Sequence, residues 1–229
     1  GYGKAKGEYV VGCHSFSREE GEEGYFLITA HILLVHGHIM PLTTRLLALR
    51  GGVPVSPLFR SVLRALLDAL RDDLDGLDLA DRMSVYEQRD RIYLAALARR
   101  DTLYQVTAQV LATHCRTHGQ DPQAALQALQ VDQALCPREG AEQVMQAQFS
   151  FDAAALQKSL AAMELPAPAI NPGGDRSWAI HHPGGVGDIL HSADGGSWLS
   201  GSIMADDPEP RFYDPGHEKV SEPRVVALA

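Results

Sequence analysis

Cysteine, positive charge and long apolar runs are all scarce in these 229 residues. The three cysteines, Cys13, Cys115 and Cys136, are odd in number and far apart. That spacing argues against a disulfide framework and points to a reducing, cytoplasmic setting. Lysine and arginine total 20 against 29 acids, a formal charge of −9. A chain of that sign repels phosphate backbones, so no nucleic-acid partner is expected. The longest apolar run, within residues 25–35, is about ten residues long where a membrane span needs roughly 20. His31 interrupts it and His36-Gly37-His38 closes it, so no span is expected. No basic segment leads into an apolar one at the start, so no signal peptide is visible. The chain opens Gly1-Tyr2-Gly3 rather than with Met, which reads as a piece of a longer protein. No repeat of solenoid length appears.

What is present is ordinary globular material: 45% hydrophobic and 21% charged residues, enough to build a core. The pattern is mainly α. A glycine-rich lead, residues 1–14, ends in Tyr9-Val10-Val11, a short strand that would continue a sheet outside this chain. Ser17-Arg18-Glu19-Glu20 is a capping box, and four acids in the first turns suit the positive end of the helix dipole. Residues 25–35 are apolar almost all round, which predicts a helix buried on several sides. Pro41 then opens a second helix, 42–49, stopped by Gly51-Gly52. After the turn 53–57, Leu58, Phe59, Val62, Leu63, Leu66, Leu67 and Leu70 predict an amphipathic third helix, with Arg60, Arg64 and Arg71 on its solvated face. Residues 84–118 predict one long helix or two joined at 99–101. A further helix, 122–135, has Asp121 as its cap and Pro122 in its first turn. An extended 149–152 leads into a short helix, 153–163. The helical domain is thus 15–164. Residues 165–229, dense in Pro, Gly, Asp and Ser, predict an irregular or partly disordered tail with a few short strands at best.

Several constellations invite a chemical reading. His31, His36 and His38 cluster, and His31 and His38 fall on one face of a continuous helix, two turns apart. No Asp, Glu or Cys is interleaved, so the spacing matches no zinc pattern, and a helix end with hydrogen-bonded imidazoles is the simpler reading. His181-His182 is read the same way, as a pair in a loop. Cys13-His14, placed in a strand, would point to opposite faces. His114-Cys115 lies on a helix, and free cysteines are most often small buried hydrophobes. Residues 183–188 (PGGVGD) resemble half of a phosphate loop, but a second turn follows where a helix should begin. No catalytic, cofactor-binding or metal-binding residue is assigned on this chain.

The order of features carries more than any one of them. Glu8-Tyr9-Val10-Val11, then Ser15-Phe16-Ser17-Arg18-Glu19-Glu20, the helix up to Gly37, a second helix 42–49, and Val55-Ser56-Pro57-Leu58-Phe59 heading the third follow in sequence. This resembles the region C-terminal to the barrel in cobalamin-binding-domain-containing radical SAM proteins. Residues 129–137 (LQVDQALCP) are similar to a turn of that family, and Phe149-Ser150-Phe151-Asp152 looks like one of its strands. The resemblance covers roughly residues 8–163. It implies a parent enzyme with a cobalamin-binding domain and a partial barrel. The barrel would hold a four-iron–four-sulfur cluster that opens S-adenosylmethionine to a 5′-deoxyadenosyl radical, for a radical modification such as methylation. The Cys-x-x-x-Cys-x-x-Cys loop of that barrel is missing here. The implied partners are therefore the barrel and cobalamin domain of the parent chain, against which this helical portion packs. Two other readings stand beside it: a free-standing helical module whose apolar helix 25–35 docks a partner and, well behind, a small hydrolase using Cys13 or the histidines.

Overall fold

The structure, a computed structural model, describes residues 12–136, 143–162, 176–182 and 224–228. Tyr9-Val10-Val11, the glycine-rich stretch 183–188 and most of 165–229 lie outside them. The capping box forms as its residues predict. Ser17 Oγ accepts from the Glu20 N–H at 3.2 Å, and Glu20 returns a carboxylate to the Ser17 N–H at 2.7 Å. From this cap α1 runs Arg18–His31. It continues as a π-helical turn, Ile32–His36, before α2, Pro41–Arg50. α3, Val55–Ala69, starts three residues earlier than a turn over 53–57 implies. Pro57 fits because a first-turn residue has no N–H obligation inside the helix. Its six residues Leu58, Phe59, Val62, Leu63, Leu66 and Leu67 are all buried, as their spacing requires.

The stretch 84–118 departs from expectation. It forms three helices: α4 Arg82–Glu87, α5 Arg89–Ala98 and α6 Arg100–Thr117. Gln88 and Arg99 leave helical ψ, at 16° and 43°, and so part the segments. α7, Gln123–Leu135, begins one residue after Pro122, with Asp121 Oδ1 accepting from the Gln123 N–H at 3.1 Å. Then come β1 Gln143–Phe149, α8 Ala153–Ala162, β2 Arg176–His182 and β3 Arg224–Ala227. The strands form one antiparallel sheet in the order β1-β2-β3, with Phe149 opposite Arg176 and Ile180 opposite Val225.

The fold is mainly helical, and two apolar clusters hold it together. The larger joins Leu33, Leu34 and Ile39 to Leu58, Val62 and Leu66 of α3, Ile92 of α5 and Leu111 of α6. The smaller joins Leu42 and Leu46 of α2 and Ala128 and Val131 of α7 to Phe149, Phe151, Leu156, Trp178, Ile180 and Val225. Helices α2 and α7 serve both, since Leu47 and Leu129 face the larger cluster. Trp178 is 1% exposed and packs across the 164/165 boundary drawn from composition. The tryptophan strand thus belongs to the helical core and does not stand apart as a tail. No single helix among the described residues is long and apolar enough to cross a membrane. The apolar residues of the bent pair around Gly37, whose halves meet at 106°, are mostly core. Against the burial expected of 25–35, Ile28, at 47% exposed, and His31 face solvent.

Candidate functional site

The histidines, a buried acid and two buried tyrosines converge at the break between α1 and α2. Gly37 donates its N–H to the Ile32 carbonyl at 2.8 Å, a step of five residues, and Met40 donates to Leu34 at 2.7 Å. This widened turn is possible because residue 37 has no side chain. A Cβ there would lie 2.3 Å from the Leu33 carbonyl oxygen and 2.7 Å from Tyr93 Cε2. His38 follows in the left-handed region, φ 57°. Met40, held out of the helical region by the following Pro41, ends the break at φ −145°.

A break buried this deeply must satisfy its own backbone. Tyr93 donates its hydroxyl to the Gly37 carbonyl at 2.9 Å, and Tyr104 donates to the Ile39 carbonyl at 3.0 Å. The first free N–H groups of α2, on Leu42 and Thr43, reach the Asp132 carboxylate at 2.9 and 2.8 Å, joined by the Thr43 hydroxyl at 2.7 Å. Asp132 stands on α7, so a carboxylate 90 residues away in sequence caps α2. Arg100 closes the ring by donating to the Cys136 carbonyl at 3.3 Å and to the Gln133 carbonyl, at the negative end of α7.

Burial sets the electrostatics. It pushes the Asp132 carboxyl up to about 7, against the pull of the three donors from Thr43 and Leu42. The Tyr93 and Tyr104 hydroxyls are raised well above their ordinary range for the same reason. The Cys136 thiol is raised too, although the Arg100 charge opposes the shift, and Cys115 likewise. None of these groups is poised as a nucleophile. The imidazoles move the other way. Burial lowers His31 and His36, with His36 adding to the shift of His31. His38 keeps part of its surface in solvent, yet the atoms crowded round it hold it down to about 4, helped by His36.

Several sequence expectations are corrected here. His31 and His38 do not share a face, because the helix ends at His36. Instead His31 and His36 meet, ring centroids 5.0 Å apart at 79°. Cys13 and His14 sit in a tight turn, Cys13 N–H to Phe16 O at 2.9 Å, and not in a strand. His181 and His182 end β2 and are not in a loop; His182 is fully buried. Cys115 is buried, and His114 donates Nε2 to the Pro54 carbonyl at 3.0 Å. Of the arginine row on α3, Arg71 pairs with Asp68 on the surface and Arg64 lies over the Phe26 ring at 5.8 Å. Arg60 is more than solvated surface: it binds Glu23 of α1, which also binds Arg82 at 3.3 Å. A cleft of about 580 Å³ opens beside them over Phe26, Leu67 and Leu74. Its rim balances Arg64, Arg71 and Arg82 against Asp68, Asp75 and Asp78, so it favours neither sign of ligand.

Sequence reasoning missed Asp132, Tyr93 and Tyr104. A signal for Asp132 was present: an acid one turn from Leu129 and Cys136, on a helix face otherwise made for burial. Among the described residues no group of three or more metal-ligating side chains gathers. Compared with protein-family models, with curated proteins and with solved structures, the chain has no significant match in any of the three.

Proposed function

We propose that this chain is the helical C-terminal portion of a cytoplasmic, cobalamin-binding radical SAM enzyme, packed against its barrel, with the catalytic core outside it. The observation that supports the reading is the fate of the ordered features on which the resemblance rests. Capping box, broken helix, second helix and third helix form one contiguous packed body around Gly37, and its buried polar groups are engaged in holding backbone. The implied iron–sulfur cluster does not fit this chain's cysteines. Cys13 is exposed in the turn before α1, while Cys115 and Cys136 are buried on other elements. Cluster, S-adenosylmethionine and cobalamin therefore fall to the other domains of the parent. The reading is tested at the reading frame upstream of Gly1. A Cys-x-x-x-Cys-x-x-Cys loop there, and a co-expressed protein that takes up iron and sulfide under anaerobic reconstitution, are expected. An upstream frame with no such loop overturns it.

One observation favours the second reading, a free-standing helical interaction module. The apolar residues of the broken helix are already covered by the chain itself, with Ala30, Leu33 and Leu34 fully buried. A core so closed suits independent folding. Among the described residues, the large apolar side chains left for a partner are Ile28 on α1, Val144, Met145 and Val226 on the sheet, and Leu228 just past β3, all exposed. A cooperatively unfolding soluble monomer of this chain alone supports the module. Aggregation or loss of fixed tertiary packing supports the packed portion of a larger enzyme.

A further inference from the structure

We infer that His31 and His36 form a two-imidazole site for a divalent transition-metal ion of the zinc class, its remaining positions filled by water or by a domain docked on α1. The π-helical turn is what makes the pair. In a regular helix, residues five apart point about 140° away from each other. Closing the backbone in steps of five, as the Gly37 to Ile32 bond does, puts them one turn apart on the same side.

The resulting spacing is the one a shared ion needs. With a metal–nitrogen distance of about 2.0–2.1 Å and tetrahedral angles, the centroids of two coordinated imidazoles stand roughly 5 Å apart. The His31 and His36 centroids are 5.0 Å apart, with the rings near perpendicular. The Phe59 ring lies beside that of His31, centroids 5.9 Å apart and tilted by 46°. His31 is exposed and His36 half-buried, so an ion and its waters have access. Among the described residues neither ring has a hydrogen-bond partner, which leaves their nitrogens for a ligand. Two protein ligands make a labile site, open to a third from outside. Imidazole in this number suits zinc, nickel or copper and does not suit magnesium or calcium.

A second histidine pair has to be told apart from this one. His114 and His118 on α6 are also in contact, centroids 4.5 Å apart. There one nitrogen of each ring donates to a carbonyl, His114 to Pro54 and His118 to His114 itself, and the other nitrogen of each is left to ligate, so this pair competes for the same ion and the titration must separate the two.

The experiment titrates the full chain with zinc chloride by calorimetry and follows the histidine ring nitrogens by NMR. Saturable binding below about 1 mM is expected, with the His31 and His36 signals shifting together. Removing either imidazole weakens uptake at least about tenfold. His31→Ala is the primary variant, because that exposed side chain leaves the fold intact, and unchanged helical circular dichroism verifies this. His118→Ala is expected to leave the His31 and His36 shifts unchanged. Absence of saturable uptake, uptake indifferent to His31→Ala, or His31 and His36 shifts lost in His118→Ala overturns the proposal. The readout involves no radical chemistry, so its outcome is separate from that of the parent-enzyme reading.

Discussion

The Tyr93 hydroxyl meets the Gly37 carbonyl at 2.9 Å, across 56 positions of sequence. That bond joins α5 to the one place where the main helix of the chain opens. Tyr93→Phe removes the donor and leaves a buried carbonyl without it, at a cost of about 1–2 kcal/mol. Gly37→Ala is more severe. The new Cβ meets backbone at 2.3 Å, so the break must re-form, and a loss above about 3 kcal/mol is expected. Gly24→Ala is the counterpart on α1: nothing lies within 4 Å of its Cβ, and a gain of about 0.5–1 kcal/mol is expected. Urea unfolding of the three variants checks the order.

Asp132 gives the chain a pH signature. Its folded carboxyl titrates near 7 against an ordinary value of 3.8, so between these limits the folded state binds the extra proton. Stability from this group is therefore full below pH 4 and declines as pH rises toward 7, at no more than ~1.4 kcal/mol per pH unit. The lowered histidines act in the opposite direction, losing stability as pH falls through their window. The difference between wild type and Asp132→Asn isolates the acid. The variant's melting curves are expected to lose the decline on the way to pH 7, while a constant difference between the two proteins would refute the assignment.

Glu23 ties three helices, binding Arg60 of α3 and Arg82 of α4 from α1. The carboxylate is partly buried, its side chain 21% exposed, so the pairs are screened less than surface ones. Glu23→Gln is expected to cost about 1 kcal/mol in low salt and less in 1 M sodium chloride. A cost independent of salt would mean that packing, not charge, is lost.

Trp178 carries the sheet's share of the core. Trp178→Ala is expected to cost about 3–5 kcal/mol. A chain ending at residue 165 loses Trp178, Ile180 and Val225 at once and uncovers Phe149, Phe151 and Leu156. It is expected to bind a hydrophobic dye and to elute as aggregate. A monomeric, cooperatively unfolding truncation would show that the sheet adds nothing to the helices.

The elements written in local terms are legible in the amino-acid sequence. The Ser17 box, the apolar face of α3 and the proline start of α2 depend on neighbours within one or two turns, and each stands where its residues put it. The candidate site is legible only in part. Its histidines are visible and Gly37 marks where the helix stops, but the turns leading to it read as ordinary α-helix. Nothing in the spacing of residues 31–38 says that five residues will close a turn that usually takes four.

What the sequence by itself determined is therefore the helical periodicities, their caps and the apolar faces, because these follow from contacts close along the chain. Tertiary structure alone decided that His31 faces His36, that Asp132 caps α2, and that the Trp178 strand joins the helical core. Each of those depends on groups distant along the chain, or on a backbone break they hold in place, satisfying one another's buried hydrogen bonds or apolar surface. No local pattern encodes which of them will meet.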